Sequence, residues 1–330
     1  MSDTKGEILM RTYGNLLLIS PFREREKHDE ITIDASNAQI ALCNLTSYYL
    51  IGKNKVHLVT KPGDMSLDNE LEELKTQMYG MDFVRHSDKE IIVSFNPPDE
   101  PVRTLVDREF NLYSQMQKEA MHQLEVFPQL EKNLSTTEKK MDDYERSVDR
   151  TSYQTRRALI TALYDPEVLL KLDLEHPADI LGYYRIEENI ERLADLQHQI
   201  FKEIISLKKI YDKKKFDFDL NPIKRFYMTA HDLSMKSFTE YGSQEAVSFV
   251  IRSKTGPARG DHIKTAYTEH TELVDRIIKE SEKLVPESSS KDTMYANILK
   301  SLWHLESRIN GMVGNASNIS ESWFFMLARQ

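Results

Sequence analysis

The chain has 330 residues, 40% of them hydrophobic and 29% charged, with a formal net charge of -9. That length can bury a large core and points to two or three domains rather than a small stapled scaffold. The acidic balance argues against a general nucleic-acid surface, since phosphate binding takes most of its affinity from Lys and Arg. A single cysteine, Cys43, excludes an internal disulfide and a multi-thiolate zinc site, and fits a reducing, cytoplasmic setting. The opening MSDTKGEILMRTYG is too polar for a signal peptide. No apolar run approaches the ~18 residues of a membrane span, so any membrane role is expected to come through a partner, without insertion.

Residues 1–35 read as short strands and turns, with EILMR, LLLIS and ITI as the strand-like runs. From 36 to 98 strands and helices alternate, which predicts a small α/β domain. Asp34 or Ser36 is placed to cap a helix that ends at Gly52, KVHLVT follows as a strand, and a second helix runs from Ser66 towards Gly80. MDFVRH and EIIVSF close the domain before Asn96-Pro97-Pro98. Beyond Asp99 glycine is scarce, proline sits at joints, and apolar residues recur at helical spacing. Helices are expected at about 99–127, 129–164, 177–213, 222–254, 258–284 and 290–327, with DKKKFDFDLNP joining two halves, 99–215 and 216–330.

One stretch stands out. In EENIERLADLQHQI, Ile186, Ile190, Leu193, Leu196 or Gln197, and Ile200 form an apolar stripe. Beside it Glu187, Glu191 and Asp195 stack at i, i+4 and i+8, a spacing at which like charges repel. An earlier helix carries Asp142, Glu145 and Asp149 next to Met141, Tyr144 and Val148. Either set can be a solvated face. Alternatively the two meet across a bundle, where facing carboxylates bind oxygen-preferring cations.

The two helical halves look alike, each with an acid before V-D-R and a later acidic helix. The pairs are YERSVDR with TELVDR, and IERLAD with LESRIN. At YRIEENIERLADLQHQI, YERSVDR, DPEVLLKLDL, TELVDR and HLESRINGMVGNASNI the chain resembles the PhoU family of phosphate uptake regulators. LTSYYLIGKNKVHLVTKP and YGMDFVRHSDKEIIVSF are similar to the segment that precedes the bundles in archaeal members. The resemblance implies a mainly α protein: two tandem three-helix bundles after a small α/β domain, with 1–35 as a degenerate AbrB-like segment.

It also implies a metal site at Glu145, Asp149, Glu191 and Asp195, the positions that match the family's E-or-D-x-x-x-D pairs. Iron is the first expectation, with manganese, magnesium, calcium and zinc also in range. Glu187 and His198 are weaker candidates, His198 through a D-x-x-H spacing after Asp195. In the second repeat Asp275 and Glu306 are retained, but Thr271 and Asn310 replace their acidic partners, so one good site is expected rather than two.

No catalytic signature is present, neither a phosphate-cradling glycine loop nor a nucleophile elbow nor a zinc-protease helix, and a non-enzymatic role is expected. The leading function is a cytoplasmic regulator of phosphate uptake that contacts a phosphate transporter or a signalling kinase; late aromatics such as Trp303 and Trp323 are expected in the bundle core first, and otherwise on a partner or homodimer surface. Two other readings stay open: a metal- or phosphate-responsive transcriptional regulator that binds DNA through its N-terminal segment, and a di-metal carboxylate enzyme.

Overall fold

The structure, a computed structural model, describes residues 8–13, 16–21, 30–97, 99–127, 134–174, 176–214 and 221–239, and helical residues between 300 and 326. It is mostly helical, with a small sheet near its beginning. Two compact units are formed, one from Met1–Val106 with Arg150–Tyr184, the other from Asp107–Asp149 with Arg185–Gln330.

In the first unit β1 (Ile8–Tyr13) and β2 (Leu16–Pro21) make an antiparallel hairpin. A separate four-stranded sheet follows, built from β3 (Glu30–Asp34), β4 (Lys55–Val59), β5 (Met81–Ser87) and β6 (Glu90–Phe95) in the order β3-β4-β6-β5. The parallel pair β3/β4 is connected through helix α1 (Ala38–Leu50), as parallel strands require. Helix α2 (Ser66–Gln77) leads into the antiparallel pair β5/β6. Alternation along β4 and β6 sends Val56, Leu58, Ile91, Val93 and Phe95 into one apolar core with Leu45 and Tyr49 of α1.

The cap of α1 differs from the sequence expectation. Asn37 takes that place, its side chain accepting from the backbone N–H of Ile40 at 3.1 Å. Asp34 instead accepts from Ser36 N–H at 2.9 Å, a short turn that leads the chain into the helix. Gly52, which ends α1, has φ of 85°, and a Cβ there would lie 2.6 Å from Thr161 Oγ1, so glycine is needed twice over.

The helices that follow are α3 (Val102–Glu125), α4 (Leu134–Tyr164), α5 (Pro166–Lys171), α6 (Asp179–Lys214) and α7 (Asn221–Thr239). Each of the first two expected helices starts a few residues late, and the third, expected over 177–213, runs from Asp179 to Lys214. Arg157 of α4 belongs to the first unit and is fully buried there. Its guanidinium donates to the carbonyl oxygens of Tyr49 and Lys53 and to Asn54 Oδ1, and lies 4.8 Å from the Tyr49 ring centre. Five rigid donors let one side chain satisfy the carbonyls left over where α1 ends.

In the second unit the apolar stripes read from the sequence face inward. Met141 and Val148 of α4 and Ile186, Ile190, Leu193 and Ile200 of α6 are all buried. Among the alternatives at one position it is Gln197, not Leu196, that is fully enclosed. Phe110 stacks on Phe238, and Phe238 meets Trp323 edge-on, which places that late tryptophan in the core. Trp303 and the expected helix at 258–284 lie outside the described residues. No described helix is long and apolar enough to cross a membrane.

Candidate metal centre

Within the second unit the part of α4 up to Asp149 and the part of α6 from Arg185 onward run antiparallel, as their side-chain pairs show. Glu138 meets Lys209 at 3.1 Å, Asp142 and Glu145 meet His198, and Asp149 meets Glu191 and Asp195. On α4 the acids stand at i, i+3 and i+7, and on α6 Glu191, Asp195 and His198 stand at i, i+4 and i+7. Both spacings keep three side chains on one helix face, so two potential ligand rows oppose each other.

The rows do not merge into a single cluster. Asp149, Glu191 and Asp195, all half-buried, bring one carboxylate oxygen each to within 4.8 Å of the others. Asp142, Glu145 and His198 form a second group, their ligand atoms likewise within 4.8 Å of one another. The four acids expected together are thus divided: Glu145 leaves Asp149 and joins the histidine. His198 is buried, with Nε2 2.8 Å from Asp142 Oδ1 and Nδ1 2.9 Å from Glu145 Oε1.

Of the weaker candidates, Glu187 is fully buried on α6 and belongs to neither group. Asp275 and Glu306 lie outside the described residues. The late helical residues nevertheless pack beside α6: Arg308 Nη1 and His304 Nδ1 reach Glu203 Oε1 at 2.8 and 3.0 Å, and a Cβ on Gly311 would meet Leu196 Cδ1 at 2.9 Å.

Either group could hold a metal ion. Bonds of ~2.0–2.6 Å to magnesium or calcium put opposite oxygens of one ion ~4–5 Å apart, which is the spread of the carboxylate trio. Three carboxylates at such range repel one another by about 1–3.5 kcal/mol per pair between water-like and surface-like dielectric, a cost that a side-chain or metal counter-charge relieves. The histidine group adds a nitrogen donor, which widens its range to metals that prefer imidazole.

A second polar cluster was not anticipated from the sequence. Tyr113 of α3 donates to Ser234 Oγ of α7 at 2.8 Å, Gln117 contacts both, and Tyr227 donates to Gln197 Oε1 at 2.7 Å. Burial pushes the Tyr227 and Tyr113 hydroxyls well above their ordinary pKa, so both remain donors at neutral pH. The only signal in the sequence was glutamine standing in apolar stripes.

Comparison of the chain with protein-family models, with curated proteins and with solved structures returns no match.

Proposed function

We propose that this chain is a cytoplasmic, metal-binding helical regulator of the PhoU type, acting by protein contact on a phosphate transporter or a signalling kinase. The observation that carries this reading is the convergence of Asp149 with Glu191 and Asp195 from two antiparallel helices. Helical bundles hold hard cations in this way, with carboxylates from neighbouring helices. A bound ion would fasten α4 to α6 and fix the charge presented by that face. In this reading the ion is structural and regulatory, and the partner recognises the helix surface that it holds in place.

The β1–β2 hairpin favours a second reading, in which the N-terminal segment binds DNA. FREREKHDE, which follows the hairpin, mixes both charge signs and weakens that case, because nearby acids oppose phosphate contact. A binding assay on duplex DNA across a salt series separates the two, since a DNA-binding regulator loses affinity steeply with salt.

Elemental analysis of the purified chain beside its Glu191→Ala/Asp195→Ala variant tests the leading reading. An oxygen-preferring metal should co-purify with the parent, or bind on reconstitution, and be lost from the variant. A parent that stays metal-free, with both proteins melting alike, would refute it.

A further inference from the structure

The two ring nitrogens of His198 face different carboxylates, Nε2 towards Asp142 and Nδ1 towards Glu145. Doubly protonated, the imidazole donates one N–H to each carboxylate; neutral, it has a single N–H, which serves one of these oxygens and leaves the other against a nitrogen lone pair. A metal ion at that second nitrogen changes the contact, because nitrogen and carboxylate become co-ligands. The remaining N–H then donates to the other carboxylate, the arrangement by which metal-bound histidines are commonly oriented.

We propose that His198 splits the acidic face of α4 and α6 into two cation sites of different chemistry. The Asp142–Glu145–His198 end takes a borderline divalent ion of the zinc class, and the Asp149–Glu191–Asp195 end takes a hard, oxygen-preferring ion. Donor type sets the division: imidazole favours zinc, copper, nickel or iron, whereas carboxylates alone favour magnesium, calcium or manganese. Position reinforces it, since the contact with His198 holds Glu145 away from the trio. The hard-cation half rests on the reading under Proposed function, but the zinc half stands on the histidine alone.

Zn(II) and Mn(II) are titrated separately into the metal-stripped full chain, with stoichiometry read by native mass spectrometry and affinity by calorimetry. His198→Gln should weaken zinc by at least about 100-fold while manganese changes little. Glu191→Gln/Asp195→Asn should do the reverse. Zinc binding that is absent from the parent, or unchanged in His198→Gln, overturns the proposal and leaves a hydrogen-bonded histidine.

If manganese fails to bind the parent while zinc follows His198, the hard-cation reading and the split both fall, and the zinc assignment alone survives. Co(II) in the unsubstituted chain gives a readout independent of variant folding. A metal-shifted, exchangeable imidazole N–H resonance is expected, and its absence overturns coordination by His198.

Discussion

In the α/β layer the cluster buried around β4 and β6 is built of apolar side chains, from Ile33 through Leu45, Tyr49, Val56 and Leu58 to Val93 and Phe95, with the Arg157 guanidinium against its Tyr49 and Phe95 rings as the one charged group described there. The helical unit instead encloses Gln117, Gln123, Gln197, His198, Lys208 and Ser234 among its Leu, Ile and Phe. An apolar core draws its stability from area and from close packing. A polar seam adds little net stability, because each buried bond replaces one to water, but breaking it on one side is expensive. In this chain the seam ties α3, α6 and α7 at fixed positions: sliding α7 by one turn would break Tyr113–Ser234 and Tyr227–Gln197 together.

The largest test of this contrast lies in the sheet. Leu58→Ala, at a fully buried position, should cost about 2–5 kcal/mol in urea unfolding followed by circular dichroism. A loss of only a few tenths would mean that the layer is not held by its apolar packing.

In the helical unit Gln197→Leu should cost about 1–3 kcal/mol, because the Tyr227 hydroxyl loses its acceptor while still buried. Pairing it with Tyr227→Phe should recover most of that loss, since both polar groups are then gone. Additive losses would show that the two groups are not coupled.

The smallest effect concerns Glu203. Burial pushes its carboxyl up, but hydrogen bonds from Arg308, His304 and Ser301 outweigh that and hold it below its ordinary value of 4.5. A carboxyl lowered in the fold contributes stability that is fully present above the unfolded value and is lost as pH falls through the folded one. Melting temperature should therefore drop on acidification from about 4.5 downwards, and Glu203→Gln should flatten that limb. Solvent screening keeps the effect below ~1 kcal/mol.

Periodicity carried much of this architecture. The two-residue alternation in KVHLVT and EIIVSF and the stripe Ile186, Ile190, Leu193, Ile200 led directly to strands and buried faces, because burial is what those periods encode. The candidate metal residues were legible as helix faces for the same reason. Their grouping was not. Which acid meets which depends on the axial offset between α4 and α6, set by packing of residues far apart in the chain, and this offset gives Glu145 to His198. Arg157 was equally hidden, since nothing local marks an arginine whose partners are carbonyl oxygens about a hundred residues earlier.

The opposed rows on α4 and α6 also set how this chain can change in length. Each residue added to a helix turns everything beyond it by about 100° and advances it by about 1.5 Å. One residue inserted between Glu145 and Asp149 would leave Asp142 and Glu145 facing His198 if the preceding part of α4 held its place, and would swing Asp149 off the shared face. A substitution therefore changes one ligand and leaves the others in place, whereas an insertion or deletion within α4 takes every residue beyond it out of register with α6, so that changes in length fit best at the joints between helices.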